Sequence, residues 1–402
     1  MRYVVCMFFS IVLFPGCTQK TKKKVDPITF VASPVGANSS LPFLYANEDK
    51  TLLSWVEKVG DSLTELKYAE LVNGEWQKPQ AILQGSDWFV NWADFPAIAE
   101  QNGNLLSHVL KKSSAGTYSY DVKLNLRQAG ASQWQTNLPL HTDGTPTEHG
   151  FVTALPYKEG FFITWLDGRN TMEDEHGNRG AMTIRAAEVS PSGEIQNEAE
   201  LDNRACDCCQ TTAAITTNGP VVVYRDRSDT EVRDMSIVRW ENGSWSAPKT
   251  IYADGWKING CPVNGPKAAV LEHILAVAWF SGANERPKVQ LVFSEDDGVN
   301  FSQPILVSET KAIGRVDVVL LDKETAIVSW MEADGEKAYL KAVKVHADGT
   351  QGSPLVLSEL FSSRQSGFPQ MELIGDQVLF AWTDISKKLR EVKTALVPVE
   401  TF

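Results

Sequence analysis

Three of the six cysteines of the chain lie close together in the segment RACDCCQTT, residues 204 to 212. They are Cys206, Cys208 and Cys209, and a fourth, Cys261, lies in the later segment GCPVN. Sulfurs at this spacing form disulfides, bind a soft metal ion or supply a catalytic thiolate. No Cys–His pair is evident in the sequence, so the choice between disulfide and metal depends on the compartment of the protein.

The N-terminus indicates export. Arg2 precedes the apolar run VVCMFFSIVLF, which ends in Pro15, Gly16 and Cys17 and is too short to span a membrane as a mature helix. The pattern resembles a bacterial lipoprotein signal over residues 1–16, although Phe14 stands where such signals usually have Leu. The resemblance implies that Cys17 is lipidated, that residues 17–27 form a Lys-rich tether, and that the protein is anchored to the outer membrane on its periplasmic or surface side.

Outside the cytoplasm, an even number of cysteines is more often paired than free. We therefore expect structural disulfides, one joining Cys261 to the cluster at 206–209 and a second within the cluster. The alternative is a soft-metal site of thiolates, with His149 as a further ligand. The close C-x-C-C spacing suits copper(I) better than a zinc ribbon, which has paired C-x-x-C motifs. Without such a site, we expect no cofactor.

The charge of the chain limits its partners. The sequence carries 50 acidic and 38 basic residues, a formal net charge of −12. A body this acidic repels phosphate backbones, which argues against a nucleic-acid partner. We expect a monomer whose partner is a glycan, another small anionic ligand or a protein, with the membrane contacted only through the lipid anchor.

The elements that position these residues follow from an internal repeat. A short apolar strand ending in an aromatic residue or histidine recurs as LLSW, LLSH, FITW, VVVY, AVAW, IVSW and LFAW, at intervals of 51 to 59 residues. A first strand precedes each copy, and most copies are followed by an alternating third strand and a Gly-containing turn. Four short strands per repeat of this length predict a β-propeller, whose blades bury their faces by stacking on one another.

Seven copies predict seven blades in one domain, residues 28–402. The last copy supplies only three strands, whereas an unassigned strand, ITFVAS at residues 28 to 33, lies at the start of the body. We expect that N-terminal strand to complete the seventh blade and close the ring.

One turn resembles a known motif. The segment SEDDGVNF, residues 294–301, has Ser294, Asp296, Gly298 and Phe301 at the spacing of an Asp-box, the BNR-repeat hairpin of sialidase-like propellers. The resemblance implies a sialidase-like propeller, for which a six-bladed ring is the alternative architecture. In such a turn the Asp296 carboxylate accepts backbone N–H bonds and Phe301 packs beneath it, so the motif supports the fold rather than the chemistry.

Strand polarity places the unusual residues on one face, which we call the entry face. It carries the loops that lead into the first strand of each blade and the loops that join the second and third strands. Tryptophans there can stack on a sugar ring or pack the scaffold, and arginines there can bind a carboxylate or sulfate, or pair with neighbouring acids. The candidate ligand-binding residues are Trp88, Asn91, Trp92, His149, Arg225, Arg227, Trp256, Asn264, Arg315 and Arg364.

The sialidase resemblance implies an arginine triad, an Asp acid and a Tyr nucleophile, and the match is poor. Ser40 and Leu41 precede Pro42 where the first arginine is expected, and no tyrosine lies in the entry-face loops of blades five to seven. We therefore predict binding without sialidase activity. The alternative is a glycoside hydrolase that uses two carboxylates on the entry face. The candidates are Asp94, Glu148, Asp207, Asp226 and Asp317.

Overall fold

The computed structural model describes residues 27–173, 176–386 and 389–402. The N-terminal segment that contains the signal pattern, Cys17 and nearly all of the tether lies outside these residues. Within them the chain forms strands and four short 3-10 turns, with no α-helix. No helix in this part of the chain has the length and apolar character needed to cross a membrane.

Seven antiparallel sheets form the ring, and the predictions of a propeller and of seven blades are confirmed. The chain begins with strand β1, Thr29–Val31. Blade one then comprises β2 to β6, at Ser39–Ala46, Thr51–Lys58, Thr64–Val72, Glu75–Trp76 and Gln80–Gly85. Blade two comprises β7 to β10, at Ile98–Gln101, Asn104–Lys112, Tyr120–Arg127 and Gln135–Pro139. Blade three comprises β11 to β14, at His149–Tyr157, Gly160–Asp167, Thr183–Val189 and Ile195–Asp202.

The remaining blades follow the same order along the chain. Blade four comprises β15 to β19, at Thr212–Thr216, Gly219–Arg225, Met235–Glu241, Ser244–Trp245 and Lys249–Tyr252. Blade five comprises β20 to β23, at Lys267–Leu271, Ile274–Ser281, Lys288–Ser294 and Ile305–Ser308. Blade six comprises β24 to β27, at Ala312–Asp322, Thr325–Asp334, Lys337–His346 and Leu355–Phe361. Blade seven comprises β28 to β30, at Gln370–Ile374, Gln377–Asp384 and Glu391–Pro398.

The ring is closed by the N-terminal strand, as predicted. Strand β1 pairs antiparallel with β30 and so supplies the outer strand of blade seven. Thr394 of β30 makes two hydrogen bonds at this closure. Its hydroxyl donates to the Val31 carbonyl of β1 at 3.2 Å and accepts the indole N–H of Trp76, in blade one, at 3.0 Å. Strand pairing therefore holds the N-terminal strand in blade seven, and the Trp76–Thr394 hydrogen bond joins blade seven to blade one.

The repeated tryptophans form the packing between blades. Trp55, Trp165, Trp279, Trp330 and Trp382 have almost no solvent exposure. In three blades the indole N–H donates to an acidic side chain two residues later, because alternate residues of a strand share one face. These pairs are Trp55–Glu57 at 3.4 Å, Trp165–Asp167 at 2.8 Å and Trp330–Glu332 at 2.9 Å. The carboxylates at these strand ends are thus held by the scaffold.

The turn at residues 294–301 is tied by its own side chains. The Asp296 carboxylate accepts the backbone N–H of Asn300 at 2.8 Å, and the Ser294 hydroxyl accepts that of Gly298 at 2.9 Å. Gly298 has φ of 80°, a conformation that disfavours a side chain. Phe301 packs against the cluster between blades four and five.

Removing the closing strand is expected to destabilise the ring. A chain that begins at residue 34 lacks β1 and its pairing with β30, whereas a chain that begins at residue 27 keeps both. We expect the shorter chain to lose about 2 kcal/mol of unfolding free energy, since each of these hydrogen bonds contributes about 1 kcal/mol. Urea denaturation of both chains measures the difference, and equal midpoints would show that β1 does not close the ring.

Candidate functional site

Polar side chains at the blade entrances join four pairs of neighbouring blades. Each accepts a backbone N–H from the first strand, or the entry loop, of the following blade, so its carboxylate or amide oxygen is committed to the scaffold. The four bonds are Asp94 to Phe151 at 2.9 Å, Gln210 to Gly265 at 3.1 Å, Asn264 to Arg315 at 2.8 Å and Asp317 to Met371 at 2.9 Å. Asp94, Asn264 and Asp317, predicted as site residues, therefore have structural partners.

Arg225 is a buried link between blades four and five. Its guanidinium donates to the carbonyls of Asn264 at 2.8 and 2.9 Å, Arg233 at 2.7 Å and Phe280 at 2.7 Å. It also lies over the Trp256 ring, 4.7 Å from the centroid. Only 2% of Arg225 is exposed, so its charge is satisfied inside the protein and does not face a ligand.

Arg315 has the same role between blades six and seven. Its guanidinium donates to the carbonyls of Gly367 at 2.9 Å and Ser363 at 3.0 Å and lies 5.1 Å from the centroid of the Trp92 ring. Burial, and then the charge of Arg364, lower the pKa of Arg315 to about 10, so it stays protonated at neutral pH. The prediction that Arg225 and Arg315 bind an anionic ligand must be corrected, because their guanidinium groups donate to backbone carbonyls.

The other two candidate arginines remain nearer to solvent. Arg227 forms ion pairs with Glu231 at 2.8 Å and Asp207 at 2.9 Å. Arg364 is exposed and lies 5.9 Å from the centroid of the Trp92 ring. Of the predicted arginines, Arg364 has the side chain most open to solvent.

The three candidate tryptophans pack inside the entry face. Trp88 and Trp256 are buried, and Trp256 lies edge-on to Phe280 with centroids 5.6 Å apart. Trp92 is half-buried and stacks on Phe368 at 5.8 Å. We therefore place Trp88 and Trp256 with the scaffold, and only Trp92 keeps part of its surface open.

Other predicted residues also have local partners. Asn91 accepts the backbone N–H of Ala93 at 2.8 Å. Asp226 accepts the backbone N–H of Arg227 at 2.6 Å and the Ser236 hydroxyl at 2.9 Å. These bonds shape the loops and leave the two side chains as poor candidates for chemistry.

His149 belongs to a buried network at the junction of blades two and three. Its ring stacks on His141 with centroids 3.9 Å apart, and its Nδ1 lies 3.2 Å from the Tyr120 carbonyl. Its Nε2 lies 3.4 Å from an Asp143 oxygen and 3.7 Å from an Asp167 oxygen. His149 is fully buried among these groups and is not one of the residues that lie together with the cysteine sulfurs.

Sequence reasoning missed a cluster centred on Tyr120. The Tyr120 hydroxyl donates to Glu148 at 2.6 Å, and Asp94 lies beside the same ring. Burial, and then the charge of Asp94, raise the pKa of Tyr120. Burial also raises the pKa of Glu148 to about 7 and the pKa of Asp94 well above its usual range. Tyr120 and Glu148 belong to different blades, and no local pattern links them.

Tyr120 is fully buried beneath Phe89, whose ring stacks on it with centroids 4.3 Å apart. Asp94 is 2% exposed, and one of its two oxygens has no hydrogen-bond partner. Three groups that could transfer protons therefore lie together, but the tyrosine itself has no open surface.

A cavity of about 490 Å³ lies at the centre of the ring, along the first strands of six blades and the entry loop of blade two. Its walls include the aromatic residues Phe43, Tyr45, Phe95 and Phe151. The polar and charged groups that border it include Asn47, Asp94, Gln210, Lys267, Asp317 and Glu372. A cavity of this size with a few polar groups in apolar walls is typical of a small-ligand site.

The cavity acids are shifted toward their neutral forms. Burial and then the Asp317 charge raise the pKa of Glu372 to about 8, while Lys267 opposes the shift. Burial also raises the pKa of Asp317, again opposed by Lys267. At neutral pH, a protonated Glu372 can donate a hydrogen bond rather than repel a polar ligand.

The four described cysteines are free thiols. Cys206 Sγ lies 3.5 Å from Cys209 Sγ and 4.0 Å from Cys208 Sγ, distances well beyond a bonded pair. Cys261 is exposed, and a hydrogen bond with Cys208 lowers the pKa of the Cys261 thiol to about 7. The blades do bring the four cysteines into one neighbourhood, but the expected disulfides are not present in this structure.

Comparison with known proteins relates the chain to others by fold. No protein-family model and no curated protein matches the sequence. A polysaccharide lyase, Uly1, superposes with a TM-score of 0.52 at 7% identity, covering 89% of each chain. NanB sialidase from Streptococcus pneumoniae matches with a TM-score of 0.48 at 11% identity, covering 94% of this chain and 72% of the other.

A neuraminidase-like protein from A/bat/Guatemala/164/2009 matches with a TM-score of 0.46 at 11% identity, covering 90% of each chain. The structural neighbours thus include a polysaccharide lyase, a sialidase and a neuraminidase-like protein. At these identities the likeness is one of fold, and the residues of the entry face must be interpreted from their own geometry.

Replacing Arg225 tests its structural role. Arg225→Met leaves the carbonyls of Asn264, Arg233 and Phe280 buried without a donor, and we expect a loss of about 3 kcal/mol in unfolding free energy. Arg364→Met, on the same face but exposed, is the control and should change the free energy by less than about 0.5 kcal/mol. Similar small effects of both substitutions in urea denaturation would show that Arg225 is not the buried link.

Glu372 should make stability depend on pH. Its pKa rises from 4.5 to about 8 on folding, so the folded state holds the proton more tightly. The contribution of Glu372 to the unfolding free energy is greatest below pH 4.5 and is lost as the pH rises through 8. Glu372→Gln removes this pH dependence, and its unfolding free energy should exceed that of the wild type by about 2 kcal/mol at pH 8.5. This difference is smaller than the full pKa shift would give, because the side chain borders an open cavity where solvent screens its charge. At pH 4 the two proteins should match, and a difference that does not change with pH would contradict the shift.

Proposed function

We propose that the protein is a glycan-binding propeller that holds an uncharged sugar unit in its central cavity. The observation that carries the proposal is the cavity itself, about 490 Å³ in volume with aromatic rings and hydrogen-bonding groups in its walls. Sugars present both apolar C–H faces and hydroxyl groups, so such walls match their chemistry. The sialidase-like fold agrees with a glycan-related role.

An uncharged ligand fits the cavity better than an anion. Arg225 and Arg315, the arginines expected to bind an anion, donate to backbone carbonyls instead. The charged groups at the cavity are one lysine, Lys267, and three acids, Asp94, Asp317 and Glu372. Burial raises the pKa of all three acids, so they favour a ligand that accepts hydrogen bonds without adding negative charge.

We further propose that the propeller works outside the cytoplasm, anchored by lipid at Cys17. The support is the sequence of the first residues, in which a basic residue and an apolar run precede Cys17. A lysine-rich tether would then hold the ring away from the membrane, with its central cavity open to glycans.

A glycosidase is the second candidate, and one observation favours it. Tyr120 lies between Glu148 and Asp94, so a nucleophile and two acids are in reach of one another. The burial of Tyr120 under Phe89 weighs against this function, because a substrate must reach the nucleophile. Aryl glycoside hydrolysis that is abolished by Tyr120→Phe would establish the glycosidase and exclude a purely binding role.

Replacing the cavity lysine tests the binding proposal. A panel of neutral and acidic oligosaccharides is screened by thermal shift, and hits are measured by calorimetry. We expect a neutral glycan to bind and Lys267→Ala to weaken it by about 10-fold or more, since a hydrogen bond from a charged group contributes about 1.5 kcal/mol or more. Lys78→Ala is the matched control, because Lys78 is exposed on the outside of blade one. Equal effects of both substitutions, or binding of acidic glycans alone, would contradict the proposal.

A further inference from the structure

The sulfurs of the cysteine cluster converge on one point. Cys206 Sγ lies 3.5 Å from Cys209 Sγ and 4.0 Å from Cys208 Sγ, and all three sulfurs lie within 4.8 Å of one another. A metal–sulfur bond of about 2.3 Å places sulfurs about 3.8 Å apart around a tetrahedral ion and about 4.0 Å apart around a trigonal one. The two distances from Cys206 Sγ lie within about 0.3 Å of these values, and the third pair of sulfurs lies within 4.8 Å, so the three sulfurs are close enough to bind a single ion.

A buried positive charge lies against the cluster. The Arg233 guanidinium donates to Cys206 Sγ at 3.1 Å, although Arg233 is itself buried. A positive charge beside a sulfur favours the thiolate, which is the form that binds metals.

The cluster has a closed base and an open edge. Cys206 and Cys209 are buried, Cys208 is half-buried, and Cys261 is exposed beside it. An ion could therefore enter past Cys261 and be held by the three sulfurs beneath. This arrangement lies in the entry loop of blade four and does not involve the Lys267, Asp317 and Glu372 side chains of the central cavity.

We propose that Cys206, Cys208 and Cys209 bind one copper(I) ion as three thiolates, with Cys261 at the mouth of the site. Each thiol releases its proton as its Cu–S bond forms, and the oxidation state of copper does not change. Three converging thiolates suit a soft monovalent ion, whereas a structural zinc site takes four ligands in a closed shell. The site is independent of the glycan function proposed above.

Copper(I) titration of the reduced full chain under anaerobic conditions tests the site. With bicinchoninate as the competing chelator, we expect one ion per chain and a copper–thiolate absorbance in the ultraviolet. Cys206→Ser, Cys208→Ser and Cys209→Ser should each lower the affinity at least 100-fold, and Cys261→Ser by no more than about 10-fold. Asp207→Asn, which alters the residue between two ligands without removing sulfur, should keep the stoichiometry.

Thermal melting of each metal-free variant checks that it is folded. Cys208→Ser is decisive among the three ligand variants, because Cys206 and Cys209 are buried and Cys208 is only half-buried, so a folding defect is least expected there. The proposal is overturned if the reduced protein binds no copper(I), or if folded Cys208→Ser binds it as tightly as the wild type. It is also overturned if zinc displaces the copper and Cys261→Ser weakens binding as much as the other three, or if native protein carries the four cysteines as disulfides.

Discussion

The buried guanidinium of Arg225 is the interaction on which the entry face between blades four and five depends. An arginine that is always charged must have its donors satisfied, and here three backbone carbonyls from both blades accept them. The carbonyl of Arg225 in turn accepts the backbone N–H of Cys206 at 3.0 Å. One side chain thus fixes the position of the cysteine loop, of Arg233 above it and of the strand that follows in blade five.

The same use of polar groups supports the uncharged ligand that we propose for the centre of the ring. Asp94, Gln210 and Asp317 each accept a hydrogen bond from a backbone N–H of the next blade. These polar side chains at the blade entrances therefore hold neighbouring blades together. Burial raises the pKa of the acids beside the cavity, and the guanidinium groups of Arg225 and Arg315 donate to backbone carbonyls. A protonated Glu372 could then donate a hydrogen bond to the proposed sugar.

The sequence predicted the architecture because the repeat is local and periodic. Each strand-two aromatic identifies a blade, and the unpaired strand near residue 30 identified the closure. Strand polarity placed the candidate residues in the entry-face loops, but it could not tell which of their side chains point inward. Arg225 and Arg315 fall in the predicted loops, yet their partners are carbonyls of neighbouring blades, which leave no pattern in the sequence. The Tyr120–Glu148 pair escaped prediction for the same reason, since the contact joins two blades.

In the proposed metal site, the junction of blades four and five, fixed by Arg225, brings three thiols together around one copper(I) ion. A crystal structure of the full chain loaded with copper(I), with anomalous data at the copper edge, tests this site most directly. We expect one anomalous peak about 2.3 Å from each of the Cys206, Cys208 and Cys209 sulfurs, a distance typical of metal–thiolate bonds. Arg225 should still donate to its three carbonyls. Continuous density for a disulfide among these cysteines, or an anomalous peak elsewhere in the molecule, would contradict it.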